Sequence, residues 1–191
     1  MINALITDRT AADKERAKYL ANLNYADMTE AERTEWLTDL KGAYNASDLN
    51  RVESAVEYLA QVLRELPQEI RNYAAEKGVA WDRFFDVPYE PTAYNPQVKK
   101  DWTQTAIQTP QDMERYLNNV VLLRNALTFD TDTLPASMEK LTIEGANAIE
   151  RALVNLDAAI ILLRGDTQTL IDNTAAAWFY SGEIYADEVT I

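Results

Sequence analysis

Two short patterns of acidic, basic and amide residues occur twice in this chain and are its first candidates for chemistry. Thr-x-x-Asp-x-Glu-Arg begins at Thr10 and again at Thr109, and Asn-x-(Val/Ile)-Glu begins at Asn50 and again at Asn147. Paired carboxylates about 5 to 9 Å apart can perform acid and base catalysis. However, Thr followed three residues later by Asp is also a helix-capping pattern, in which side chains bind the free amides of the first turn. We therefore predict a structural role for the repeated acidic residues.

The copies of the two patterns follow each other in the same order and at nearly equal distances. The second copies lie 99 and 97 residues after the first. Self-similarity at a fixed period indicates repeated supersecondary units. We predict an internal duplication, in which each unit contributes a starting helix, a connection and a longer core helix, and the two units pack face to face about an approximate two-fold axis.

The Asn and Glu of the second pattern lie three residues apart on the predicted core helices. Asn50 precedes Glu53, and Asn147 precedes Glu150, so each pair occupies one helix face. We predict that each pair binds the helix start of the other unit in a buried polar network. Such a network fixes the register of packing, which is a role in specificity more than in catalysis.

The composition removes several kinds of site. The chain contains neither Cys nor His, so disulfides, thiol nucleophiles, His-based triads and the usual zinc sites are excluded. Asp130 and Asp132 begin like a calcium loop, but Gly at the sixth place and Glu at the twelfth are missing. A metal site made of carboxylates alone is left as an alternative. We predict no metal, no cofactor, no catalytic residue and no enzyme activity.

The charge balance bears on the partners of the chain. Its 31 acidic and 18 basic residues give a formal net charge of -13, which repels nucleic acid and anionic lipid headgroups. No apolar run approaches the roughly 18 residues of a membrane-spanning helix, and the first segment lacks the features of a signal peptide. We expect a soluble protein made in a cytosol, with neither nucleic acid nor membrane as partner.

Hydrophobic periodicity predicts an all-α fold class. In residues 142–174, apolar residues recur in steps of three and four, as on one face of a helix; they are Ala146, Ile149, Leu153, Leu156, Ile160, Leu163 and Leu170. Between Ala158 and Leu163 the apolar character extends around the helix, so protein is expected on more than one side. Gly165 predicts a kink or a break.

A second long helix has the same spacing. It is expected to begin at Ser47 or Asp48 and to reach Leu66, where Pro67 ends it or starts a further helix. The predicted architecture is a helical bundle built from two similar, duplicated helical units, with a short extended or hairpin tail. The expected segments are a first helical unit, an aromatic and Pro-rich connector, a second helical unit and the extended C-terminal tail, at 1–78, 79–108, 109–177 and 178–191.

Two aromatic segments are candidate binding surfaces, because Trp and Tyr are favoured where proteins bind ligands or partners. The candidates in the connector, for a sugar or a peptide, are Trp81, Phe84, Phe85, Tyr89, Tyr94 and Trp102. The candidates for partner contact in the tail are Trp178, Phe179, Tyr180, Ile184 and Tyr185. In both segments the alternative is that the side chains cover the protein's own core.

Four strings carry a resemblance to a known family: KGAYNASDLNRVESAVEYLA, TPQDMERYLNNVVLLRNAL, LTIEGANAIE and AAAWFYSGEIY. They resemble an uncharacterised family encoded among the tail and baseplate genes of phages and prophages of gram-positive bacteria. The similarity covers most of both helical units, and the residues from about 66 to 100 match least well. The resemblance implies a virion structural component or an adaptor between tail parts, and it brings no catalytic residues.

These observations lead to one expected function and one alternative. We expect a structural or interaction protein of a phage or prophage particle, in its tail, baseplate or fibre. Its partners would be other phage structural proteins or further copies of itself, and it would be made in the bacterial host cytoplasm and end in the virion. The alternative is a host-recognition module that binds a carbohydrate or a peptide through the aromatic connector.

Overall fold

The computed structural model describes residues 2–38, 40–80, 94–127 and 132–186. All regular secondary structure in these residues is helical, which confirms the predicted all-α helical fold class. Besides two single turns of 3-10 helix, five α-helices are described: α1 (Ala11–Ala21), α2 (Glu30–Thr38), α3 (Ala46–Glu76), α4 (Pro110–Arg124) and α5 (Ile143–Ala186).

The chain divides into two compact bodies. The larger body comprises Met1–Ala60 and Pro96–Asp157, and the smaller body comprises Gln61–Asn95 and Ala158–Ile191. These bodies cut across the segments expected from the sequence, because α3 and α5 each begin in the larger body and end in the smaller one. Whether the chain arose by duplication stays a prediction.

The core of the larger body consists of side chains that recur in steps of three and four on α3, α4 and α5, together with Leu20 of α1. Their burial removes apolar surface from water, at roughly 1.5 to 3 kcal/mol for each large side chain that is fully buried. The largest fully buried apolar members are Leu20, Leu49, Leu59, Tyr116, Leu123, Ile149, Leu153 and Leu156.

In the smaller body, the described part of α5 packs against α3. Arg164 Nε lies 2.8 Å from Glu69 Oε1, and the Tyr73 hydroxyl donates to Asp172 at 2.9 Å. Since later residues of α3 meet later residues of α5, the two helices run in the same direction here. The buried side chains between them are Leu63, Leu66, Ile70, Ala74, Ile160, Thr167 and Ile171.

The prediction of a buried apolar stripe on α5 is confirmed only from Ala146 to Ile160. Leu163 and Leu170 were expected in the core but are exposed, whereas Thr167 and Ile171 are buried. The expectation of protein on more than one side of residues 158–163 is also wrong, because Ile161 and Leu162 are exposed as well. The reason is that α3 covers only one side of α5 in this body, so the side chains on the other side of α5 are exposed.

Neither Pro67 nor Gly165 interrupts its helix. Pro67 lies inside α3, where it removes one backbone donor. The helix continues because Leu66 and Ile70, on either side of the proline, are buried and hold the chain in place through packing. Likewise α5 is continuous across Gly165.

Replacing Gly165 with alanine is expected to raise the free energy of unfolding by about 1 kcal/mol, the difference between Gly and Ala inside a helix. A Cβ built at this position has no heavy atom within 4 Å, so the added methyl group meets no neighbour. Urea unfolding followed by far-UV circular dichroism measures the change. A decrease in stability would contradict the described surroundings of Gly165.

The expected extended tail is wrong over its first nine residues. Helix α5 continues to Ala186, and residues 187–191 lie outside the described part of the chain. Aromatic residues have only a weak preference against helix, and adding a residue to an existing helix is much easier than starting one. At 44 residues, α5 is about 66 Å long.

Candidate functional site

The repeated Thr and Asp residues cap helices, as predicted. At the start of α1, the Asp13 backbone N–H donates to Thr10 Oγ1 at 3.2 Å, and the Thr10 backbone N–H donates to Asp13 Oδ2 at 2.7 Å. At the start of α4, the Asp112 N–H donates to Thr109 Oγ1 at 3.1 Å. Hydrogen bonds from the two threonines hold the pKa of Asp13 and of Asp112 below its usual value. The structural role assigned to these carboxylates is therefore confirmed.

A buried cluster of charges surrounds Glu150. Its carboxylate accepts from the Ile6 backbone N–H at 2.6 Å, from Arg9 Nη2 at 2.6 Å and from Arg51 Nη2 at 3.0 Å. Arg9 Nη2 also donates to Asp48 at 2.7 Å, and Arg51 binds the same Asp48 oxygen. Two arginines and two carboxylates therefore balance each other inside the larger body, where an unpaired charge would be costly.

The two repeated asparagines make the same pair of hydrogen bonds. Asn147 Oδ1 accepts from the Arg9 backbone N–H and its Nδ2 donates to the Arg9 carbonyl, both at 2.9 Å. Asn50 Oδ1 accepts from the Trp102 N–H at 3.0 Å and its Nδ2 donates to the Trp102 carbonyl at 2.9 Å. Asn147 thus holds the backbone of the segment that precedes α1, and Asn50 holds that of the segment that precedes α4.

Glu53 is the centre of a second buried polar cluster. Its carboxylate lies 2.7 Å from Arg115 Nη1 and accepts from Asn119 Nδ2 at 3.2 Å. Asn119 in turn holds the backbone N–H of Gln97 at 3.1 Å. Burial raises the pKa of Glu53, and the bonds from Arg115 and Asn119 oppose that rise. Together with the Glu150 cluster, this confirms that the repeated Asn and Glu residues belong to buried polar networks; that their partners belong to duplicated units stays a prediction.

Arg9 and Ile6 were not identified from the sequence, although both bind Glu150. Arg9 is buried, and its guanidinium lies 5.1 Å from the centre of the Tyr44 ring. The Tyr44 hydroxyl is 2.5 Å from that of Tyr116, and burial raises the pKa of both tyrosines. The segment before α1 has no helical periodicity, so the one signal for Arg9 is its place directly before the Thr10 cap.

The acidic side chains form no cluster suited to a metal in the part of the chain that is described. The two most buried carboxylates, Glu53 and Glu150, are instead bound by arginines and amides. Their arrangement stabilises the packing of the larger body, and it leaves both carboxylates engaged by neighbouring side chains.

The structure describes two of the six connector candidates, Tyr94 and Trp102. Trp102 is 4% exposed and its backbone is bound by Asn50, so it serves the protein's own core and not a binding surface. The Tyr94 carbonyl accepts from Arg64 Nη1 at 2.5 Å. The other candidates, Trp81, Phe84, Phe85 and Tyr89, lie outside the described residues.

The tail candidates belong to α5. Trp178, Phe179, Tyr180, Ile184 and Tyr185 were expected on an extended segment, but the backbone at these positions is helical. Their side chains lie outside what the structure describes, so their role in partner contact stays a prediction.

An exposed apolar surface lies instead on the earlier part of α5 in the smaller body. We call it the α5 apolar face, and it consists of Ile161, Leu162, Leu163 and Leu170, exposed by 57%, 66%, 40% and 49%. Large exposed apolar groups on one element mark sites of protein interaction. The sequence carries the signal for this surface in the string AAIILL, which is apolar around the whole helix.

Two of the clefts on the larger body have the volume of a small-molecule site. One has a volume of about 550 Å³ and lies beside the start of α4, where Met113, Leu117 and Met138 form apolar walls and Glu114 and Glu139 carry charge. The other has a volume of about 340 Å³ and lies beside Trp36 of α2. Both volumes fall within the range of roughly 300 to 1,000 Å³ found for small-molecule sites.

The chain matches no protein-family model, no curated protein and no solved structure. Among the described helices, none combines the length and the apolar character needed to cross a membrane.

Proposed function

We propose that this chain is a structural protein of a phage or prophage particle, a component or adaptor of its tail, baseplate or fibre, and that it works by protein–protein assembly. The resemblance of the four sequence strings to the phage family supports the proposed place in a phage or prophage particle. The α5 apolar face supports assembly, and it is the observation that carries the proposal.

The α5 apolar face has the composition of half of a helix interface. The string from Ala158 to Leu163 is apolar around the helix, yet α3 covers only one side of it. A helix that is apolar all round is normally buried on all sides. Covering the remaining side chains with a partner would remove their exposed area from water, at roughly 25 cal/mol per Å².

The charge around the face permits contact with a second copy of the chain. Between Ala158 and Ile171 the sequence contains one basic residue, Arg164, and one acidic residue, Asp166. The net charge of -13 therefore lies mostly elsewhere, so two such faces can meet without strong like-charge repulsion. A symmetric pair that uses the same face twice is the commonest form of protein oligomer.

Light scattering after size-exclusion chromatography tests the proposal across a concentration series of the full chain. The wild-type protein is expected to form a dimer or a larger oligomer. Leu162→Glu is expected to weaken self-association at least 100-fold, because it places a charge in the centre of the face. Leu37→Glu is the matched control, since Leu37 is an equally accessible leucine, 53% exposed, on α2.

Two results would contradict the proposal of self-assembly through α5. One is a wild-type protein that stays monomeric over the whole concentration range. The other is an oligomer that Leu37→Glu weakens as much as Leu162→Glu does, because association would then depend on general surface charge and not on this face.

A further inference from the structure

The cleft beside Trp36 has a lining that differs from the rest of the surface of the larger body. It lies between α2 and the segment leading to α4, with a volume of about 340 Å³. Besides three alanines, the residues around it are Trp36, Leu40, Asn45, Thr103, Gln104 and Gln108. None of these side chains is charged, although 26% of the residues in the chain are. An ionic ligand would find no counter-charge here among the described residues, so the lining selects for a neutral one.

Several polar groups of the cleft are available to a ligand, although the Thr103 hydroxyl is hydrogen-bonded to that of Thr105. Within the described part of the chain, the side-chain amides of Gln104 and Gln108 and the indole N–H of Trp36 form no hydrogen bond. Asn45 is held in place because its Oδ1 accepts from the Ser47 backbone N–H at 2.8 Å, and this leaves its Nδ2 as a donor. Carboxamides both donate and accept, so this set suits a ligand whose own groups do both, as hydroxyls do.

The apolar side of the cleft is formed by Trp36, near the end of α2, and by Leu40, which follows that helix. Trp36 is half-buried and offers a large, rigid surface with a single polar group at its edge. A pyranose ring has the matching character, because its C–H bonds form an apolar face and its hydroxyls surround that face.

We propose that this cleft binds a neutral saccharide, with the sugar ring against Trp36 and its hydroxyls bound by Asn45, Gln104 and Gln108. A neutral peptide fits less well. Extended peptides are commonly recognised through main-chain hydrogen bonds at a sheet edge, and the described residues contain no strand. The proposal concerns a different surface from the α5 apolar face and does not depend on self-assembly.

Saturation-transfer NMR on the full chain tests the proposal with glucose, galactose, mannose, N-acetylglucosamine and their β-1,4-linked disaccharides as probes. Transfer to the ring C–H protons is expected from at least one of them. Glucuronic acid is expected to show at least fivefold less saturation transfer than glucose, because the described lining of the cleft contains no positive charge and the chain is strongly negative. Trp36→Ala is expected to reduce the transfer at least tenfold.

Leu37→Ala is the matched control for Trp36→Ala, because Leu37 is the next residue on α2, is exposed and does not line the cleft; it should leave the transfer unchanged. If Trp36→Ala loses helical circular dichroism, the double variant Gln104→Ala, Gln108→Ala takes its place, since both glutamines are exposed. The same loss of at least tenfold is then expected.

Three outcomes would overturn the proposal. They are an absence of transfer to every neutral sugar in the panel, transfer that persists when Trp36 or both glutamines are replaced, and Trp36-dependent transfer to a neutral Gly-Gln peptide but to none of the sugars. The Leu162→Glu variant should bind the sugar as the wild type does, so that a failure of assembly and a failure of sugar binding can be told apart.

Discussion

Replacing Glu150 with alanine is expected to lower the free energy of unfolding by about 3 to 5 kcal/mol, the cost of removing one partner from a buried ion pair. The Glu150 side chain is 0% exposed and binds both Arg9 and Arg51. Without it, Asp48 is the carboxylate of this cluster that remains for the two guanidinium groups, and the Ile6 N–H loses its acceptor. Because domains are stable by only about 5 to 15 kcal/mol, the loss would be a large fraction of the total.

Urea unfolding at neutral pH, followed by circular dichroism, measures this change. Glu144→Ala is the matched control on the same helix, since Glu144 also pairs with an arginine, Arg151, but its side chain is 74% exposed. Exposed ion pairs contribute only about 0 to 1 kcal/mol. If Glu150→Ala and Glu144→Ala lower the free energy of unfolding by the same small amount, the Glu150 cluster does not hold the fold together.

Replacing Gly42 with alanine is expected to destabilise the protein by about 3 kcal/mol or more, at the upper end of the cost of overpacking. A Cβ at this position would lie 1.8 Å from the Asp13 carbonyl oxygen and 2.2 Å from its carbon. Both are backbone atoms in the first turn of α1, so they cannot move aside as a flexible side chain would. Either α1 or the segment between α2 and α3 must shift.

The Gly165→Ala variant is the natural comparison for Gly42→Ala, because the same methyl group is added in open space. The two substitutions are expected to change the midpoint of urea unfolding in opposite directions. A Gly42→Ala protein with unchanged stability and an unchanged helical spectrum would contradict the close approach of Gly42 to α1.

The helices that hold the core of the larger body were predictable because their apolar residues alternate without a break. The periodicity of Leu49, Val52, Val56 and Leu59 indicated the buried face of α3. The start of α3 was misplaced slightly. Asn45, and not Ser47 or Asp48, caps it, since its side chain accepts from the N–H groups of both. Several polar residues precede α3, and the choice among them depends on tertiary contacts.

The errors on α5 have a physical cause that the sequence does not contain. Leu163 and Leu170 satisfy the spacing of a core stripe, but burial requires a second element beside them. The spacing of apolar residues indicates which side chains share one face of a helix. Whether another helix covers that face depends on the whole fold. The continuity of α3 and α5 through Pro67 and Gly165 was missed for a related reason, because tertiary packing outweighs local propensity.

The candidate site was predictable where motif and chemistry coincided. The repeated Asn and Glu residues indicated a polar network, and the structure confirms it. The partners in that network were harder to predict, because Arg9, Ile6 and Trp102 lie on segments without hydrophobic periodicity. The cleft beside Trp36 could not be predicted from the sequence, because only the fold brings Trp36 and Gln104 together.

The bonds between Glu150 and the start of the chain also determine when the larger body can finish folding on the ribosome. Ile6 and Arg9 are translated 144 and 141 residues before Glu150, their partner in these bonds. At about 5 to 20 residues per second, the interval is roughly 7 to 30 s. Asp48, the other carboxylate bound by Arg9, is made only 39 residues after Arg9 and is therefore available before Glu150. The core of the larger body can therefore close only after α5 has been made as far as Glu150.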